Sequence, residues 1–224
     1  MIGFRDRQWP GDWRRLRAPI AGHADARCQY PAAAAAGHNT AIIDLDPQGT
    51  AASWGDRRQE DMPPVEVISG QAVRLSTLTE AAATNGADLL IVDTAPNADQ
   101  TALRAAQLAD LVLIPCRAAS FDLEAIQTTL TLCKIAQKPS FVVLNAIPPR
   151  SSIGKEAAEG LTAQGANVSP FMLSHRVAFV HGVIDGRTAQ EFEPGGKAAE
   201  EVGNLYVWVC GQVDMSTHPH SKQA

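Results

Sequence analysis

Five short strand-like runs, each separated from the next by a stretch with helical spacing, constrain this chain more than any other feature. They are "TAIIDLD" at 40–46, "VEVIS" at 65–69, "DLLIVDT" at 88–94, "DLVLIPC" at 110–116 and "SFVVLN" at 140–145. Most are apolar on consecutive residues rather than on alternate ones, so both faces of each strand need cover. Helices are predicted over 50–60, 72–84, 100–108, 121–136, 151–164, 176–184 and 196–209, with a short Ala-rich stretch at 32–36 ending at Gly37. A sixth short strand is predicted at 168–173. Strands alternating with helices give an α/β fold of three layers, a mostly parallel sheet with helices on both faces. The 224 residues show no internal repeat and no long linker, so one domain is expected.

The charge is uneven. The formal net charge is −5, which argues against nucleic-acid binding driven by bulk charge. Residues 1–31 nevertheless hold six Arg, three Asp, two of the four Trp and no Lys. The chain is therefore divided into an atypical segment at 1–31, an α/β domain at 32–211 and a polar tail at 212–224. No apolar run approaches the roughly 20 residues of a membrane span. The four cysteines lack C-x-x-C spacing, and Cys116 and Cys133 lie in apolar runs. Buried thiols in a reducing cytosol fit them best.

In sheets of this kind ligands bind beyond the carboxyl ends of the strands. Asp44, Asp46, Asp93, Thr94 and Asn145 all fall there. Residues i and i+2 of a strand share a side, so Asp44 and Asp46 can act together. Buried without partners they would be costly, and a cation, a lysine or a water would relieve them. An apolar strand ending in Asp93 is what a nucleotide hydrolase uses to hold Mg²⁺, often through water. The bland alternative is turn chemistry: Asp opens turns, and Thr50 could cap the following helix.

Taken together, "AIIDLDPQGTAASW", "DLLIVDTAPNAD", "ADLVLIPCRAASFDLEAI", "VVLNAIPPR" and "FMLSHRVAFVHGVIDGRTAQEFEPGGKAAEEV" resemble the ParA/MinD family of deviant-Walker ATPases, specifically small ParA-type partition proteins. The resemblance runs from about residue 32 to 210. It implies ATP and Mg²⁺ as cofactors. It implies that Asp46 orients the attacking water, that Asp44 supports the lysine and Mg²⁺ network, and that Asp93 holds Mg²⁺ through water. By the same resemblance Gln48 and Thr94 lie at the nucleotide, Asn145 contacts adenine, and Arg176 belongs to a DNA-binding surface or to a structural ion pair. The partners implied are a ParB-like or other small adaptor, non-specific DNA and a second copy of the chain. The setting implied is a nucleoid-associated cytoplasmic protein, and the C-terminal stretch has no Lys/Arg face for membrane targeting.

The chain departs from the family at its start. A strand and a K-G-G-x-G-K-[ST] loop are expected within the first twenty residues, and no G-x-x-x-x-G-K-[ST] occurs anywhere. Residues 1–31 read as a frameshifted or recombined segment of similar length and different chemistry. Two consequences are expected: a gap or exposed edge in the sheet where the first strand belongs, and weak or absent ATP binding. A nucleotide-independent binding protein is the second reading, and a P-loop ligase the third. Elsewhere, Trp54 and Trp208 are expected to pack, Arg57 and Arg58 to lie on a solvated helix face, and the six histidines to form no ligand set.

Overall fold

The computed structural model describes residues 16–21, 38–59, 62–63, 65–96, 100–213 and 215. The Ala-rich stretch at 32–36, nearly all of the 1–31 segment and most of the tail lie outside the described residues. Six strands form one parallel sheet: β1 (Leu16–Ala21), β2 (Thr40–Asp44), β3 (Glu66–Ser69), β4 (Leu89–Thr94), β5 (Val112–Arg117) and β6 (Ser140–Asn145). Their spatial order is β3-β2-β4-β1-β5-β6. The helices are α1 (Thr50–Asp56), α2 (Leu75–Thr84), α3 (Gln100–Leu108), α4 (Ser120–Ala136), α5 (Ile153–Ala163), α6 (Val177–Ile184), α7 (Ala189–Phe192) and α8 (Lys197–Gln212).

Consecutive apolar residues explain why both faces are covered. Ile42 and Ile91 turn to one side, into a cluster with Trp54 of α1 and Leu205 and Val209 of α8. Ile43 and Val92 turn to the other, against Leu75 and Ala82 of α2 and Ala105 of α3. Further along the sheet Leu113 and Val143 join the α8 side, while Ile114, Val142 and Leu144 meet Leu130 and Cys133 of α4 and Leu161 of α5. Each fully buried side chain of this size contributes about 1.5–3 kcal/mol of burial free energy. Cys116, Cys133 and Cys210 are buried as thiols, and burial pushes the Cys133 and Cys210 thiols upward in pKa. Trp208 sets its ring edge-on to Phe141 at 4.9 Å between centroids. None of the described helices is long and apolar enough to cross a membrane.

Two expectations are corrected. The sheet has no gap: β1 lies between β4 and β5, with Ile20 in register with Asp93 on one side and Leu113 on the other. Ladder bonds are made by the main chain, so "LRAPIA" fills the position despite its side-chain pattern, lacking only the N–H of Pro19. The strand expected at 168–173 reduces to two bridges, Val142 with Val168 and Ile147 with Ser174. Pro170 has no N–H for a ladder, and the Phe171 N–H donates to the Ser169 hydroxyl at 3.1 Å instead.

Candidate functional site

Strand register brings the acids together. Asp44 ends β2 directly opposite Asp93 of β4, and both are buried, Asp93 completely. The Asp44 carboxylate is held at both oxygens: Oδ1 accepts the Asp46 N–H at 3.0 Å and Oδ2 accepts the Ala52 N–H at 2.9 Å. Ala52 is in the first turn of α1, where backbone N–H groups have no partner within the helix. Asp44 therefore caps α1 from the strand end. The turn-chemistry alternative is thus realised, but by Asp44 and not by Thr50.

Asp46 heads the next turn. Its Oδ1 accepts the Gln48 N–H at 2.8 Å, and its carbonyl accepts the Gly49 N–H at 2.9 Å. Gly49 is the residue before α1 and sits at φ 60°, ψ 34°, the left-handed region that favours glycine. A Cβ there would meet nothing within 4 Å, so backbone conformation and not crowding calls for glycine. Gln48 is exposed on this turn, whereas Asp46 is buried. Thr94 is buried beside Asp93, and its hydroxyl has no hydrogen-bond partner among the described residues.

The other expected site residues lie apart from this cluster. Asn145 is at the same carboxyl edge but on β6, three strands from β4, or roughly 14 Å at the usual strand spacing. Its Oδ1 accepts the Ala146 N–H at 2.7 Å, which stabilises the left-handed Ala146 (φ 53°). Arg176 donates from Nε and Nη2 to Glu201 Oε1 at 3.0 and 2.6 Å, and Glu201 also accepts the Ser174 N–H and hydroxyl. Burial pushes the Glu201 carboxyl up, but Arg176 and Ser174 outweigh it and hold its pKa below the ordinary glutamate value.

No known family profile matches the chain. In sequence it is 28% identical over 197 residues to the Maintenance of carboxysome distribution protein A of Gloeobacter kilaueensis, covering 86% of this chain and 88% of that one. In structure it is similar to the MinD cell division protein of Aquifex aeolicus, with a TM-score of 0.69 and 12% identity over 88% of this chain and 98% of the other. A putative plasmid partition protein of Borrelia burgdorferi, bound to AMPPNP, matches with a TM-score of 0.65 and 14% identity over 88% of this chain and all of the other. The fold is the ParA/MinD fold. The motifs' resemblance to the ParA/MinD proteins is matched at the level of the fold.

Within the ParA/MinD fold, the nucleotide and Mg²⁺ implied by the family can be tested against the residues present. The acid half offers a hydrated Mg²⁺ two carboxylates, Asp93 at the end of β4 and Asp46 just beyond β2, both buried. The described residues contain no cluster of three or more ligating side chains that would hold a metal directly. The phosphate half does not fit. No lysine precedes Lys134 in the whole sequence, and the segment after β1, "GHADARCQYPAAAAAG", supplies neither the spaced glycines nor the lysines of a phosphate loop.

One group of residues escaped the sequence reading. Arg58 was expected on a solvated face, yet its side chain is only 6% exposed. Nη1 donates to the Gly186 carbonyl at 2.8 Å and to Glu191 Oε2 at 2.9 Å. Nη2 donates to Glu191 Oε1 at 2.6 Å and to the Pro63 carbonyl at 2.8 Å. The guanidinium lies 5.1 Å from the Trp54 ring centroid, and the fully buried Trp54 donates from Nε1 to the Arg187 carbonyl at 3.4 Å. Two signals were available: a Trp and an Arg four apart on one helix, and the Thr188-x-x-Glu191 capping box, both bonds of which are present.

Proposed function

We propose that this chain is a ParA-type positioning protein that distributes a cargo, with the acid half of the nucleotide site in place and nucleotide hydrolysis impaired. The observation that carries the reading is the buried Asp44–Asp93 register pair with Asp46 on the adjoining turn. The sequence relative named for carboxysome distribution supports cargo positioning. A plasmid or chromosome cargo is the finer form expected from the motifs, and a carboxysome-like body is the form suggested by that relative. In either, Asp46 orients water, Asp93 holds Mg²⁺ through water and Asn145 lies on the adenine side. Gln48 and Thr94 line the nucleotide, and Asp44 keeps the turn in place. The partners are a ParB-like or other small adaptor, non-specific DNA and a second copy of the chain, in a nucleoid-associated cytoplasmic setting. Arg176 contributes to DNA contact only as far as its Glu201 pair leaves it available.

A second reading, a nucleotide-independent binding protein, is favoured by the absence of any lysine before Lys134. Salt-dependent DNA binding without ATP would support it. Calorimetry of the folded chain with Mg-ATP, with Asp46→Ala as control, tests the proposal. The expected result is no binding in the micromolar range. Micromolar binding would overturn the proposed loss of nucleotide binding and point to a phosphate site supplied outside the described residues.

A further inference from the structure

We propose that Arg58 and Glu191 are positioning residues for Asp46, which couple its turn to the segment between α6 and α7. This rests on the reading of Asp46 as the water-orienting acid. Helix α1 is short. Seven residues make two turns, about 10 Å of helix, and a helix this short has little stability of its own. Its place is set by what holds its ends. At the first end Asp44 Oδ2 accepts the Ala52 N–H, and the Gly49 carbonyl accepts the Ser53 N–H at 2.9 Å. At the far end Arg58 is fixed by four hydrogen bonds to Glu191, Gly186 and Pro63.

The far end is also closely packed. Gly186 has φ 79°, and a Cβ there would come within 2.7 Å of the Arg57 carbonyl carbon and the Arg58 nitrogen. The backbone between α6 and α7 therefore lies directly on the end of α1. Glu191 is itself anchored: its Oε2 accepts the Thr188 N–H at 2.9 Å, and its own N–H donates to the Thr188 hydroxyl at 3.2 Å. Between the two ends Trp54 is fully buried and seats the helix on the core. Loss of the Arg58 anchor leaves α1 held by Trp54 and its first end alone. Added motion of α1 then reaches Gly49 and Gln48, whose N–H groups bond to the Asp46 carbonyl and carboxylate.

The test is residue-resolved amide hydrogen exchange on the full chain without nucleotide, in wild type, Glu191→Gln and Arg58→Lys. Exchange at Gln48 and Ala52 is expected to accelerate roughly tenfold or more in both variants, while Ile42 and Ile91 stay within about twofold of wild type. Unchanged exchange at Gln48 and Ala52 in a folded variant overturns the proposal. Equal acceleration at Ile42 and Ile91 also overturns it, because the pair would then serve global stability alone. Should Glu191→Gln fail to fold, Arg58→Lys decides, since it keeps the charge and loses only the planar fork. The readout does not involve nucleotide, so its failure is distinct from a failure of the proposed function, which falls on the calorimetry with Mg-ATP.

Discussion

At the scale of single residues, the two acids of the Asp-x-Asp-Pro-Gln-Gly run have different roles that their spacing does not reveal. Both Asp44 oxygens accept backbone N–H groups, and Asp46 Oδ1 accepts the Gln48 N–H. Asp44→Asn turns an amide NH₂ toward a buried N–H donor, leaving both unsatisfied. Urea denaturation is expected to show a loss of about 1–3 kcal/mol; an unchanged stability would contradict the capping role. Gly49→Ala should cost about 1–2 kcal/mol by the same measurement, although the site is open, because the left-handed backbone is the obstacle. The place of the two acids at the strand ends was legible. Which acid caps the helix was not, since a carboxylate that caps and one that does not look alike in sequence.

At the scale of elements, the strands and helices built from consecutive apolar residues were legible, and β1 was not. A central strand ordinarily reads as an apolar run, whereas "LRAPIA" carries Arg17 and Pro19. Only the vacancy between β4 and β5 identifies it. Pro19 removes a ladder donor in the middle of the sheet, so Pro19→Val is expected to raise the urea midpoint, by an amount worth about 0.5–1.5 kcal/mol. A fall in the midpoint would mean that the strand relies on the proline ring more than on the ladder. Helix α1 shows the opposite case: its existence and the packing of Trp54 were read correctly, but the burial of Arg58 just beyond it was not, because it looked like a surface charge. Trp54→Ala removes the side chain that seats α1 against Ile42 and Leu205. It is expected to cost about 3–5 kcal/mol in the same denaturation measurement.

At the scale of the whole molecule, the parallel sheet and the placing of the acids at one edge follow from the alternation of strands and helices, and the ParA/MinD resemblance was carried by the motifs at the strand ends. What could not be read is the polar tie between the C-terminal third and α1, because Arg58 and Glu191 stand 133 residues apart in sequence. Glu191 binds Arg58 from the segment after α6, while Glu201 of α8 binds Arg176 within the C-terminal third itself. Burial pushes both carboxyls up, but the arginines, with Thr188 and Ser174, outweigh it and hold both below the ordinary glutamate range. A carboxyl whose folded pKa is depressed stabilises the fold above its unfolded pKa, and that contribution is lost as pH falls through the folded value. Stability is therefore expected to be insensitive to these groups near neutrality and to fall once the pH drops below the ordinary glutamate range. Urea midpoints measured against pH should show this acid limb in wild type and a flatter one in the Glu191→Gln, Glu201→Gln double variant. An unchanged slope in that variant would mean that other carboxylates govern the acid limb and that the two pairs act by geometry alone.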